Sequence, residues 1–349
     1  MQMNTNTKRA LTIAAGAGAV LALRALGNRV AYDFRGKSVL ITGGSRGLGL
    51  VLAREFAAEG ARLTIVARDL VELEQARADL AARGAEVLAF ACDVREQADV
   101  QSAIERVVAR YGSIDVLVNN AGVIQAGPVD HMQVADFEDA LNTHLWGPLY
   151  AMLAAAPYMR RQAGGRVVNI ASIGGKVAVP HLVPYTTSKF ALVGLSDGMR
   201  SELARENIIV TTVCPGLMRT GSHLNALFKG QHEEEFTWFS IIDSLPISSI
   251  DARRAARQIV EACRHGDPQL VISIQAKMIA LLTAVFPNIS ARALKLMNQM
   301  LPAPTNSSGD ETKTGWESQS PLAPSLLTRL SDQAAEENNG LHGHAPVTE

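Results

Sequence analysis

From Lys37 onward the chain alternates between short apolar blocks and longer segments in which apolar residues recur at helical spacing. The blocks, rich in Val, Ile and Leu, predict strands at Lys37–Thr42, Arg62–Ala67, Glu86–Ala91, Ile114–Asn119, Arg166–Ala171, Ile208–Cys214 and Gln269–Ser273. The segments between them predict helices at Leu50–Glu59, Leu70–Arg83, Glu96–Tyr111, Ala135–Arg161, Tyr185–Glu206 and Asp251–Arg264. Strands that are apolar on both faces and alternate with helices form a parallel sheet covered on each side. The pattern therefore predicts an α/β fold, a doubly wound parallel sheet of seven strands in one catalytic domain spanning residues 33–275. Ligands of such a sheet bind at the carboxyl ends of its strands.

The pattern changes at both ends. Lys8-Arg9 precedes an uncharged run, Ala10 to Leu23, followed by Arg24 and Arg29. As a helix this run is about 21 Å long, short of the ~30 Å hydrocarbon core of a bilayer. Residues 1–32 are read as a membrane-associating helix, ahead of an uncleaved soluble helix and a cleaved signal. At the other end, Ala276–Phe286 and Ala291–Leu301 predict two short apolar helices, a 276–301 addition that caps the pocket, pairs subunits or rests on a membrane. Residues 302–349 are rich in Pro, Ser, Asn, Gly and acid, a composition that predicts a disordered tail with one helical turn at Leu326–Leu330.

Composition narrows the class. A net charge of −1 gives no electrostatic footprint for nucleic acid. Cys92, Cys214 and Cys263 are scattered, without a C-x-x-C pair, and read as buried thiols in a reducing compartment. Among the histidines, His131, His181 and His223 lack metal-ligand spacing and read as surface or pocket residues, so no metal is expected. The location expected is the cytoplasm or the cytoplasmic face of a membrane, and the assembly a homo-oligomer.

Two stretches carry chemistry. After the first strand comes Gly43-Gly-Ser45-Arg46-Gly47-Leu48-Gly49, and a helix follows. A strand, a glycine-rich turn and a helix start make a phosphate site, because backbone N–H groups and the helix dipole face the ligand. The spacing is G-x-x-x-G-x-G, not G-x-G-x-x-G. The second stretch is Tyr185-Thr-Thr-Ser-Lys189. Four residues apart on a helix, Tyr185 and Lys189 share a face, and the ammonium is expected to draw the phenol's pKa down from about 10. A serine hydroxyl at the same point, Ser172, would hold a substrate oxygen. Together they would move a proton on or off an alcohol or carbonyl oxygen.

With these motifs in order, T-G-G-S-R-G-L-G at 42–49, N-N-A-G at 119–122, Ser172, Y-T-T-S-K at 185–189 and P-G-L-M-R-T at 215–220, the chain resembles the short-chain dehydrogenase/reductase family in its Tyr-x-x-x-Lys branch. The resemblance covers about residues 33–275 and implies a Rossmann-like fold. It implies an oxidoreductase that transfers a hydride between a nicotinamide and a carbonyl or secondary alcohol. It makes Tyr185 the general acid/base, Ser172 the substrate-oxygen orienter, and Lys189 a ribose ligand as well as the pKa-lowering charge. Asp93 and Val94 would border the adenine, Asn119 and Asn120 support the cofactor loop, and Pro215, Gly216 and Thr220 belong to the segment closing on the nicotinamide. The family's relay asparagine is replaced: aligned on Trp146-Gly147, its position holds His144. The relay is expected to survive there, through the backbone carbonyl or an imidazole that carries protons.

Cofactor choice turns on the end of the second strand, Ile65-Val-Ala67-Arg68-Asp69. Asp69 is a candidate for the ribose hydroxyl of NAD, but Asp69-Leu-Val-Glu72 also has capping-box spacing. Arg68 and Arg46 suit the 2′-phosphate of NADP, and NADP is the cofactor expected. Gly221–Ser249 is expected to form a lid whose Phe228, Phe236, Trp238, Phe239, Ile241 and Ile242 either face a lipophilic substrate or pack onto the protein. Glu233-Glu-Glu235 reads as a solvated turn. An isomerase or dehydratase that keeps the cofactor without net turnover, and a cofactor-binding sensor, are the competing functions.

Overall fold

The computed structural model describes residues 31–341. The compact unit that holds the sheet begins at Phe34. The expected membrane-associating helix lies outside the described residues, as does the end of the tail.

The central sheet has seven strands: β1 (Ser38–Thr42), β2 (Arg62–Ala67), β3 (Val87–Ala91), β4 (Val116–Asn119), β5 (Gly165–Ile170), β6 (Ile208–Pro215) and β7 (Gln269–Ile272). They run parallel in the order β7-β6-β5-β4-β1-β2-β3. The order reverses between β1 and β4, and the crevice at that point is where doubly wound sheets bind ligands. β1 and β4 are buried along their whole length, which is why their sequences, Ser-Val-Leu-Ile-Thr and Val-Leu-Val-Asn, run apolar without alternation.

Helices α1 (Gly47–Ala58), α2 (Leu70–Ala82), α3 (Gln97–Tyr111), α4 (Val134–Leu141), α5 (Gly147–Arg161), α6 (Val183–Leu203), α7 (His232–Ser244) and α8 (Ala252–His265) follow in chain order. On one face α3 and α5 cover the sheet with Ile104, Val107, Met152, Ala155 and Met159. The helix expected to run unbroken over Ala135–Arg161 is divided by a π-turn at Asn142–Trp146, in which the Gly147 N–H reaches back to Asn142 O. π-turns of this kind recur at functional sites.

The C-terminal third departs furthest from expectation. α9 (Ile274–Val285) and α10 (Pro287–Asn298) form the anticipated pair. Residues 302–341 are folded, not disordered. Lys313–Thr314 pairs antiparallel with Leu227–Phe228, which pairs in turn with Gln125–Ala126. A further helix, α11 (Arg329–Glu337), begins where the isolated turn at Leu326–Leu330 was expected and continues beyond it. The physical reason is a second apolar cluster, in which Ala323, Ala335, Trp316 and Leu341 of the tail pack with Phe228, Phe236 and Phe239. The tail has too few apolar residues to fold by itself, and the lid supplies the rest.

The lid aromatics turn inward: Phe228 is edge-on to both Phe236 and Phe239. Glu233-Glu-Glu235 is the first turn of α7, and Glu235 is fully buried, not solvated. It accepts from Trp238 Nε1 (2.7 Å) and meets His181 Nδ1 (2.7 Å). His131 and His223 are likewise buried and paired, with Asp310 (2.8 Å) and Asp332 (3.1 Å), so all three histidines are structural.

Candidate active site

The loops after β1 and β4 are joined side by side. Thr42 Oγ1 accepts the amide hydrogens of Asn120 (3.0 Å) and Ala121 (3.1 Å), while Asn120 Nδ2 donates to Thr42 O and Gly43 O, each at 3.0 Å. Glycine is obligatory at position 49, where a Cβ would lie 2.0 Å from Gly43 O and 2.6 Å from Asn120 Nδ2. The first-turn amides of α1 lack intrahelical acceptors; that of Gly47 donates to Asn338 O (2.9 Å), which leaves those of Leu48 and Gly49 as donors for an anion in the adjoining cleft. That cleft measures about 760 Å³. The chemistry of this cradle fits the diphosphate of a dinucleotide.

Most residues expected to hold a cofactor line the cleft: Gly43, Ser45 to Gly49, Arg68, Asp93, Val94, Asn120, Tyr185, Lys189 and Thr220. Asn119, Ser172, Pro215 and Gly216 do not line it. Asn119 Nδ2 donates to Asn169 Oδ1 (2.8 Å), and Asn169 Nδ2 to Ser196 Oγ (2.8 Å), tying β4 to β5 and α6. At the adenosine end Asp69 caps α2, its carboxylate accepting from the amides of Val71 (2.8 Å) and Glu72 (2.9 Å). Arg46 is held by the buried carboxylate of Glu72, which also accepts from Ser45 Oγ (2.9 Å). Arg68 is exposed and has no hydrogen-bond or ion-pair partner among the described residues.

Deeper in, Tyr185 and Lys189 sit one turn apart on α6, with the ammonium 5.6 Å from the phenol ring centre. Ser172 and Tyr185 meet at Gly174: a Cβ there would lie 3.2 Å from Tyr185 Cε1 and 3.4 Å from Ser172 Oγ. Burial pushes the Tyr185 phenol above its ordinary value, and the hydrogen bond with Ser172 pulls the other way. Burial also brings Lys189 down to about 7, with Nζ donating to Ile170 O at 2.9 Å. The expected direction for the phenol is thus reversed in this structure: its desolvation outweighs the hydrogen bond that favours the ionised form.

His144 sits in the π-turn, fully buried. Ser188 Oγ donates its one hydrogen to Tyr185 O (2.7 Å) and so accepts from His144 Nδ1 (2.7 Å). His144 Nε2 accepts the Val123 amide hydrogen at 3.1 Å. Both ring nitrogens are engaged, in one neutral tautomer. Burial, with a smaller contribution from the Lys189 charge, holds its pKa well below the usual value. The imidazole braces the loop at 120–123 and the start of α6.

The apolar wall of the cleft comes from Ile124, Met218, Leu224, Leu227 and Trp316. Trp316 was not foreseen, nor were Thr42, Glu72 and Ser188. Thr42 and Ser188 lie inside the quoted motifs, whereas only the fold brings Glu72 and Trp316 to the cleft.

The short chain dehydrogenase family model matches residues 37–227. This chain belongs to that family. It is an NAD(P)-dependent dehydrogenase/reductase. It is 36% identical over 228 residues to a candidate ketoacyl reductase of the granaticin polyketide synthase of Streptomyces violaceoruber, covering 64% of this chain and 84% of that protein. It is 36% identical over 205 residues to the D-threitol dehydrogenase of Mycolicibacterium smegmatis, covering 55% and 74% of the two chains. A crystal structure of a candidate short-chain alcohol dehydrogenase from Sinorhizobium meliloti 1021 superposes with a TM-score of 0.61 at 29% identity, covering 68% of this chain and 95% of that one. The enzyme has no group of three or more metal-ligating side chains among its described residues.

Proposed function

We propose that the enzyme is an NADP-dependent oxidoreductase acting on a lipophilic ketone or secondary alcohol. The observation that carries this reading is that Tyr185 and Lys189 line the same cleft as the glycine cradle, with Ser172 beside Tyr185 at Gly174. The nicotinamide supplies or accepts the hydride when bound. Tyr185 then gives its phenolic proton to the substrate oxygen, or takes one from it, while Ser172 holds that oxygen by a hydrogen bond. Lys189 binds the ribose and favours the ionised phenol once its own charge is restored.

Preference for NADP is supported by the commitment of Asp69 to its helix cap and by the free guanidinium of Arg68. A lipophilic substrate is supported by the wall of Ile124, Met218, Leu224, Leu227 and Trp316. The test is nicotinamide absorbance with both cofactors across a panel of ketones and alcohols of rising chain length. Turnover that is fastest with NADP(H) and rises with apolar length supports the reading. Turnover confined to NAD(H), or to short polyols, overturns it.

A membrane surface as the working location is supported by α9 and α10. They expose Ile274, Met278, Leu281, Val285, Ile289 and Leu296, and residues 268–309 carry Lys277, Arg292 and Lys295 without an Asp or Glu. An apolar, basic face suits anionic lipid headgroups. No helix among the described residues is long and apolar enough to cross a membrane. Co-sedimentation with phosphatidylglycerol vesicles, lost in K277E/R292E/K295E, is expected; equal sedimentation of the variant would contradict it.

A further inference from the structure

The C-terminal segment makes contacts that neither the family's motifs nor the proposed chemistry use. α11 is docked on the lid: Ser331 donates from its amide to Ser244 Oγ (3.3 Å) and from its hydroxyl to Asp243 Oδ2 (3.2 Å), and Asp332 pairs with His223. The contact is close, since a Cβ on Gly221 would lie 2.4 Å from Ala335 Cα. After α11 the chain crosses to the glycine loop. The Gly47 amide donates to Asn338 O (2.9 Å), and Asn339 Nδ2 donates to Ser45 O (2.9 Å) and Glu72 O (3.1 Å). Arg54 secures the same stretch through Asn338 Oδ1 (3.0 Å) and Glu337 O (3.1 Å). On the lid side, Asn225 Nδ2 reaches Gly340 O at 3.3 Å, and Gly340 itself lines the cleft.

The segment thus spans from the lid to the phosphate cradle. Asn120 braces the cradle from within, and Asn338–Asn339 from outside. We propose that residues Glu337–Gly340 are part of the dinucleotide site: a clasp that closes the outer side of the cleft, so that a bound dinucleotide leaves only after the tail undocks from Ser45, Gly47 and Glu72. The proposal rests on the dinucleotide reading of the cleft. Its linkage is reciprocal: a ligand retained by the docked tail holds the tail docked.

The test is the dissociation rate of NADPH from the full chain, followed by fluorescence during a chase with excess NADP. Asn339→Gly removes the side-chain contacts to Ser45 and Glu72 and tolerates the left-handed φ of 60° at that position. NADPH release from this variant is expected to be about tenfold faster, in keeping with two lost hydrogen bonds. In wild type, NADPH should also protect residues 328–341 from limited proteolysis. Truncation after Leu327 should give the largest increase in release rate; because it exposes the cluster around Phe236, the Asn339→Gly result decides if the truncated chain does not fold. Release unchanged in Asn339→Gly, with wild type binding NADPH, overturns the clasp alone. Wild type that binds neither NADPH nor NADH overturns the dinucleotide reading and the clasp together.

Discussion

His144 Nδ1 lies 2.7 Å from Ser188 Oγ and donates to it, because the serine's only hydrogen is already given to Tyr185 O. This chain of donors makes the residue at the family's asparagine position a brace between the loop after β4 and the helix that carries Tyr185. It sets the first prediction. His144→Phe keeps a ring of similar shape and loses both hydrogen bonds, leaving the Val123 amide without its acceptor. Thermal unfolding should show a loss of about 1–3 kcal/mol. In wild type, NMR titration from pH 5 to 8 should show no protonation of this imidazole, since burial holds its pKa well below 6.5. A His144 titration in that range would show that the ring is free to carry protons.

Lys189 gives a pH prediction. Its pKa is brought down to about 7 by burial, so above that pH the cofactor-free enzyme holds it largely neutral. Ribose hydroxyls that accept hydrogen bonds from the ammonium, and the negative diphosphate beyond them, would raise that pKa. Binding NADP at pH 8 should therefore take up close to one proton, and affinity should weaken as pH rises above 7. Calorimetry in buffers of different ionisation enthalpy measures the uptake. Lys189→Met should abolish it; the same uptake in that variant would assign the proton elsewhere.

Asp243 offers a second pH dependence, in the lid. Burial raises its carboxyl from 3.8 to about 6, against smaller opposing effects of His223, the Ser331 hydrogen bond and Arg219. A carboxyl with a raised folded-state pKa gives its full stability below the unfolded value and loses it as pH rises through the folded value. Relative to Asp243→Asn, wild type should lose about 3 kcal/mol between pH 3 and 7, at ~1.4 kcal/mol per pKa unit. Paired urea titrations at each pH check this. Parallel stability profiles for the two proteins would contradict it.

Arg46, Glu72 and Arg68 together determine cofactor preference in this account. Arg68→Ala should weaken NADP binding roughly 10- to 100-fold and leave NAD nearly unchanged, as expected for one charge-assisted contact. Glu72→Gln keeps the shape of the side chain and releases the Arg46 charge, so it should strengthen NADP binding. Titration of both cofactors decides. A wild-type preference for NAD that Asp69→Ala abolishes would make Asp69 the ribose ligand despite its place at the helix cap.

The sheet was legible in the sequence because β1 and β4 are buried on both faces and carry the apolar runs Val39-Leu-Ile41 and Val116-Leu-Val118. The motifs were legible because each sits at a strand's carboxyl end. What escaped was stabilised across long sequence separations. Ala323 and Ala335 carry no local signal, yet they fold the tail against lid aromatics about a hundred residues earlier. Glu235 looked solvated beside two other glutamates, and only His181 and Trp238, brought to it by the fold, explain its burial. The direction of the Tyr185 shift was misjudged for a related reason. Sequence spacing supplies the neighbouring charge, while the depth of burial comes from the packed structure.

The most direct test of the central claim is Tyr185→Phe, with dinucleotide affinity and turnover measured on the same preparation. The ring and its packing against Gly174 are kept, and only the phenolic oxygen is removed. Affinity for NADP should stay within a few-fold of wild type, since the cradle at 43–49 is untouched. Turnover of the best ketone or alcohol should fall at least ~10²-fold. Turnover preserved at neutral pH in this variant would contradict the assignment of Tyr185 as the group that moves the proton.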